Sequence, residues 1–194
     1  KAGGVYYTPT YIVDYIVRQT VGKLLEGHAA DPGGPVSRLR VLDPACGSGS
    51  FLLGAYQYLL DWHLRGYLAA PSKWSKGRNR TLYQTAAGEY HLTLAERKRI
   101  LLDNLYGVDI DPQAVEVTKL SLLLKVLEGE DEQTMGQQLA LFPERALPDL
   151  AHNIKCGNSL IGPDFYEGQQ LALLDDAAME RVNAFDWRAE FPQV

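Results

Sequence analysis

Three polar side chains stand where an alternating α/β chain does its chemistry. Asp43 closes the apolar run from Leu39 and opens the stretch Asp43-Pro44-Ala45-Cys46-Gly47-Ser48-Gly49. Asp109 closes a second apolar run that begins at Leu105, and Asn158 follows a third, Asn153 to Cys156. Short apolar runs with turn residues behind them read as buried strands. Open parallel sheets bind ligands beyond the carboxyl ends of their strands. Asp43, Asp109 and Asn158 are therefore expected to converge on one site.

The glycine pair lets a ligand approach bare backbone. The nucleoside-triphosphate loop ends in Gly-Lys-Ser/Thr, and no such ending occurs. The dinucleotide fingerprint needs a third glycine where Leu52 stands. Asp43 argues against both, because a pyrophosphate on a helix N-terminus wants a positive field. A ligand carrying an ammonium group gains from that carboxylate instead. S-Adenosylmethionine has such a group, an adenosine tail and no phosphate. Asp109 suits its ribose, since an acid ending the second strand accepts from both hydroxyls. Ile110 is placed to pack on the adenine face, and the Asn158 amide can donate to and accept from the adenine edge. Plain structural readings compete: an Asx cap for Asp43, a solvated loop acid for Asp109, a turn residue for Asn158. Asp111 is fully explained as a helix cap ahead of Pro112.

The elements that must position these residues are legible from periodicity. Apolar spacing predicts a helix from Tyr11 to about Glu26, then a Gly/Pro/Ala-rich loop from His28 to Arg38. A strongly apolar helix is predicted from Phe51 to about Gly66. Leu82-Tyr83-Gln84 and Tyr90-His91-Leu92 flank Ala87-Gly88 as a small hairpin. Thr93 and Glu96 form a capping box for a helix to about Asn104, and Pro112 starts another to about Glu128. Gly129 to Ala151 reads as irregular, and the tail as holding one helix near Asp175 to Phe185. Strand and helix alternate three times, so the fold class is α/β, a parallel sheet with flanking helices. We divide the chain into an N-terminal helical segment 1–38, a core 39–162 with an insertion at 67–92, and a tail 163–194.

The bulk composition fits an ordinary globular chain. It has 194 residues, 46% hydrophobic and 22% charged, with a net charge of −5. No apolar run is long enough to span a membrane, so a cytoplasmic location is expected. Cys46 and Cys156 make no disulfide framework, and His28, His63, His91 and His152 are scattered, so no metal site is expected. Lys73, Lys76, Arg78 and Arg80 surround Trp74 with no acid until Glu89. The cluster suits DNA phosphates, but a solvated loop is the favoured reading.

DPACGSG, then YGVDIDP about sixty residues on, then GNSL, resembles the N6-adenine DNA methyltransferases, most of all the methyltransferase part of bifunctional type IIG restriction–modification enzymes. Gly4-Val5-Tyr6-Tyr7-Thr8-Pro9 resembles the N-terminal motif that closes over the methionine end of the cofactor in that family. The resemblance implies a Rossmann-like S-adenosylmethionine-dependent fold. By match it assigns the cofactor pocket to Tyr7, Thr8, Pro9, Asp43, Ala45, Gly47, Phe51, Asp109, Ile110 and Asn158. Many relatives carry Asp where Asn158 stands. The implied reaction is direct methyl transfer to adenine N6 of a base flipped out of double-stranded DNA. Cys46 is then no nucleophile.

The catalytic Asn/Asp-Pro-Pro-Tyr/Phe motif of that family does not occur, for no two prolines are adjacent. No catalytic residue is therefore assigned. The resemblance places that motif downstream of GNSL, so the chain reads as a fragment: a partial sheet of about three strands, the edge beside the first strand open, and DNA held mainly by parts outside it. No methyl transfer is expected from these residues alone. A protein-glutamine or RNA-base methyltransferase shares that catalytic motif and the fold and is the alternative, though Tyr6-Tyr7-Thr8-Pro9 and the insertion favour DNA; a non-catalytic cofactor-binding module is a third reading.

Overall fold

The computed structural model describes residues 8–129, 147–166 and 182–192. Helix α1 (Thr10–Val17) widens into a π-helical turn, Arg18–Gly22, and closes with α2 (Lys23–Leu25). The Thr20 hydroxyl donates back to the Ile16 carbonyl at 2.8 Å inside that turn, a bond that commonly accompanies helix distortion. A 3-10 turn, Pro35–Arg38, leads into β1 (Val41–Asp43), the glycine loop and α3 (Ser50–Leu68). Then come α4 (Pro71–Trp74), the strands β2 (Leu82–Gln84) and β3 (Tyr90–Leu92), and α5 (Leu94–Asn104). β4 (Leu105–Asp109), α6 (Pro112–Leu127), β5 (Ile154–Cys156), a 3-10 turn (Pro163–Tyr166) and α7 (Trp187–Glu190) complete the described elements.

β1, β4 and β5 form a three-stranded sheet in the order β1-β4-β5, parallel throughout. Among the described residues β1 pairs with β4 alone, so its other edge is open. The predicted hairpin forms from β2 and β3, with Leu82 paired to Leu92 and Gln84 to Tyr90. The registers carry the site. Asp43 lies opposite Gly107, and Asp109 lies opposite Cys156. β1 thus stops two residues short of β4, and the glycine loop turns into that step. Gly107 makes the close packing possible: a Cβ there would sit 2.8 Å from Leu52 Cδ1 and 3.2 Å from Cys46 Sγ.

The core lies between the sheet and helices α1, α3, α5 and α6, and includes the fully buried Leu52, Leu59, Ile100, Leu105 and Leu122. Two buried asparagines tie the strand starts together. Asn104 Nδ2 donates to the carbonyls of Val36 and Leu39 at 3.0 and 2.7 Å. Asn153 Nδ2 donates to those of Leu102 and Leu105 at 2.9 and 2.8 Å. Each satisfies backbone acceptors that burial would otherwise strand.

The predicted capping box forms by half. Thr93 Oγ1 accepts from the Glu96 amide at 3.3 Å. The Glu96 carboxylate, 4% exposed, turns inward instead. It accepts from Tyr67 Oη at 2.6 Å and from Arg99 at 2.7 and 2.9 Å. A buried carboxylate holds strong donors in preference to its own helix start. The helix expected near Asp175 to Phe185 falls mostly outside the described residues. Its last part, Asn183 to Phe185, is not helical: Ala184 forms a parallel bridge to Asn158.

Candidate functional site

The site sits at the carboxyl ends of β1, β4 and β5. Gly47 and Gly49 hold φ of +53° and +82°, backbone that favours glycine. The loop is fixed to β4 through its amides. Cys46 N–H donates to the Val108 carbonyl at 2.9 Å, and Gly47 N–H donates to Asp109 Oδ2 at 2.7 Å. The other Asp109 oxygen accepts from Asp111 N–H at 2.9 Å. Asp109 is therefore a half-buried fastening for the glycine loop rather than a solvated loop acid. Each of its oxygens keeps acceptor capacity beyond the bond it makes.

Asp43 is half-buried, and its Oδ1 accepts from Ala45 N–H at 3.1 Å, so the capping reading holds for one oxygen. Burial pushes its carboxyl above the usual range; the Ala45 amide opposes this, and the Asp109 charge adds to it. Two acids at neighbouring strand ends make a negative mouth that favours a cationic group. The Cys46 thiol, 6% exposed, is pushed up to about 12 by burial and by the charges of Asp43 and Asp109. It stays protonated at neutral pH and is a poor nucleophile.

Asn158 follows β5 and is tied into a turn. Its Oδ1 accepts from Leu160 N–H at 3.1 Å, and its own N–H donates to the Asn183 carbonyl at 2.6 Å. Its Nδ2 makes no hydrogen bond among the described residues. Ile110 is 52% exposed beside Asp109, and Leu160 is 93% exposed beyond Asn158. Two uncovered apolar side chains thus border the turn.

The remaining candidates fall around the start of α3. Ala45 is exposed on the loop, and Gly47 has nothing within 4 Å of where a Cβ would stand, so the space beside it is open. Phe51 and Asp43 share a cavity of about 250 Å³ with Ile16, Val17, Thr20 and Pro44, on the open side of β1. Thr8 and Ser50, the residue that follows Gly49, line a neighbouring cavity of about 300 Å³. Pro9 is exposed, and its carbonyl accepts from Ile12 and Val13 at the start of α1. Tyr7 lies outside the described residues. The basic segment is not brought to this site. It follows the far end of α3, about 28 Å from Gly49 at 1.5 Å per residue over its 19 residues. There Trp74 packs on Tyr67 with ring centres 4.7 Å apart, and Lys73 Nζ lies 4.1 Å from the Trp74 ring.

Reading the sequence missed Thr118, Leu160 and Asn183. Thr118 Oγ1 donates to the Gly47 carbonyl at 2.7 Å from 71 positions away, and no local spacing signals such a bond. Among the described residues no group of His, Cys, Asp and Glu is placed to hold a metal ion. No described helix is long and apolar enough to cross a membrane.

A parallel three-stranded sheet with flanking helices and a glycine loop after its first strand is the α/β design of a methyltransferase domain. The chain belongs to the family described as MmeI, DNA-methyltransferase domain, which matches residues 34–164. The type II restriction enzyme and methyltransferase RM.Eco57I of Escherichia coli is 34% identical over 157 residues, 81% of this chain and 14% of that protein. The putative type II restriction enzyme and methyltransferase RM.MjaORFECS2P of Methanocaldococcus jannaschii is 36% identical over 127 residues, 66% of this chain and 9% of that protein. The adenine-specific methyltransferase PglX of Streptomyces coelicolor is 24% identical over 190 residues, 98% of this chain and 13% of that protein. The chain thus spans a small part of each relative's length.

Proposed function

We propose that this chain is the S-adenosylmethionine-holding part of a site-specific adenine-N6 DNA methyltransferase of a restriction–modification or related defence system. The observation that carries the reading is the pairing of Asp43 and Asp109 around a glycine loop whose open face has room at Gly47. A negative mouth on bare backbone suits a ligand with an ammonium group and a ribose, and opposes one with a pyrophosphate.

Bound S-adenosylmethionine supplies an activated methyl group; the residues of this chain hold and orient it. Asp43 offers its free oxygen to the ammonium group. Asp109 accepts from the ribose hydroxyls with the lone pairs left by Gly47 and Asp111. Ile110, and Leu160 from the opposite turn, cover the adenine faces. Asn158 reaches the adenine edge with its Nδ2, because its Oδ1 is held by Leu160 N–H. Ala45 and Gly47 line the floor and Phe51 the wall, and Tyr7, Thr8 and Pro9 close over the methionine end. The relatives named for adenine-specific methylation support adenine as the acceptor, with DNA contacts made mainly outside this chain. A duplex base must leave its stack to reach such a site.

The test is incubation of the protein that carries this chain with tritiated S-adenosylmethionine and duplex DNA, followed by digestion to nucleosides. Label in N6-methyl-2′-deoxyadenosine is the expected result. Label in protein or RNA, with none in DNA, would overturn the acceptor assignment.

A further inference from the structure

We propose that Thr118 is a positioning residue for the cofactor loop: its hydroxyl and methyl together hold Gly47 and Gly49 in the conformation that receives the ligand. The proposal rests on the S-adenosylmethionine reading above. Thr118 is fully buried on α6, in a helix otherwise rich in Val and Leu. A threonine in a helix interior commonly bonds back to a carbonyl of its own helix. Here Oγ1 leaves the helix and donates to the Gly47 carbonyl at 2.7 Å. The Gly47 N–H meanwhile donates to Asp109 at 2.7 Å. Asp109 and Thr118 are carried by β4 and the helix that follows it, joined by the Asp111 cap. One rigid unit therefore grips both the N–H and the C=O of a residue at φ +53°.

The methyl acts on the second glycine. A Cβ at Gly49 would stand 2.8 Å from Thr118 Cγ2 and 3.0 Å from Oγ1. Thr118 thus fills the space behind Gly49, whose N–H donates to the Cys46 carbonyl at 2.8 Å. The loop is shaped before any ligand arrives, and a pre-shaped loop spares the ligand the cost of ordering it.

Thr118→Val keeps the volume and removes the donor; Thr118→Ser keeps the donor and removes the methyl. S-Adenosylmethionine affinity is measured by calorimetry well below the melting midpoint of each variant. Amide exchange of Gly47 and Gly49 is measured in the unliganded chain. The valine variant, which loses the bond to Gly47, is expected to bind about tenfold more weakly and to exchange the Gly47 amide about tenfold faster. The serine variant, which keeps that bond and loses the packing behind Gly49, is expected to exchange the Gly49 amide faster and to stay within about threefold of wild type in affinity. A merely structural role would lower the midpoint of the valine variant and leave affinity and loop exchange unchanged, which overturns the proposal. So does a serine variant as weak as the valine one. If wild type itself does not bind, the cofactor reading fails. The exchange experiment still judges the clamp: equal Gly47 exchange in valine variant and wild type overturns it, and faster Gly47 exchange in the valine variant alone supports it.

Discussion

Gly49→Ala, set against Gly47→Ala, separates backbone strain from side-chain overlap in the glycine loop. Both positions hold a left-handed φ, +53° at Gly47 and +82° at Gly49. An alanine at either pays about 1 kcal/mol for that backbone. Gly47 has nothing within 4 Å of the new methyl, so its cost ends there. At Gly49 the methyl meets Thr118 Cγ2 at 2.8 Å and Oγ1 at 3.0 Å. Thr118 is fully buried on a regular helix and has little room to move. Overpacking of this kind adds about 2 kcal/mol. In a domain of this size each kcal/mol moves the melting midpoint by about 3 °C. Gly47→Ala is thus expected to lower the midpoint by about 3 °C and Gly49→Ala by about 9 °C. Adding Thr118→Ser to Gly49→Ala removes the Cγ2 contact and recovers about half of the difference. Thermal unfolding followed by circular dichroism reads all three. Equal losses at the two glycines, or no recovery in the double variant, would refute the reasoning.

Other predictions concern the ionisable groups. If Asp43 faces the ligand's ammonium group, its ionised form is the binding form. Affinity for S-adenosylmethionine is then expected to fall as pH drops from neutral through the raised Asp43 range, and to lose that dependence in Asp43→Asn; calorimetry across pH checks both. His63 is fully buried, neither ring nitrogen is bonded among the described residues, and burial holds it down to about 4. The unfolded chain takes up a proton near the ordinary value of 6.5 while the folded one does not. Stability is therefore full above about 6.5 and declines by about 3 kcal/mol as pH falls to about 4. Urea unfolding of wild type and His63→Phe against pH should show this part of the slope vanish in the variant. Glu96→Gln leaves Arg99 without its buried carboxylate and weakens the Tyr67 bond. A loss of about 3 kcal/mol in urea unfolding is expected, and a loss under about 0.5 kcal/mol would contradict the packing described.

Much of this architecture is legible because local chemistry and tertiary packing agree. Asp111-Pro112 starts α6 where the cap and the fixed proline φ demand it, and Asp111 Oδ1 accepts from Gln113 N–H at 2.9 Å. β4 reads as a strand because its residues are apolar up to Asp109, and they are buried on both faces. The hairpin register follows from Ala87-Gly88, with Gly88 at φ +87°. Long-range demands were not legible. The π turn in the first helix accompanies the approach of Gly22 to Tyr58, where a Cβ would lie 2.8 Å from the hydroxyl. Glu96 abandons its capping partner for Arg99, one turn on in the same helix, and for Tyr67, 29 positions away, which no sequence spacing couples to it. In the site, Asp43, Gly47, Asp109 and Asn158 stood out because strand ends and glycines mark themselves. Thr118 did not, because its partner is 71 positions away.

The central claim is that the acids and glycine loop at this sheet end hold S-adenosylmethionine. Calorimetric titration of the chain and of its Asp109→Asn variant tests it most directly. Asparagine keeps one carbonyl oxygen but turns an NH₂ toward either Gly47 N–H or Asp111 N–H, donor against donor, and loses the charge. Saturable binding to the wild type, weakened at least about tenfold in the variant, is the expected result. A folded wild-type chain that shows no saturable binding, or a variant that binds as tightly as wild type, would contradict it.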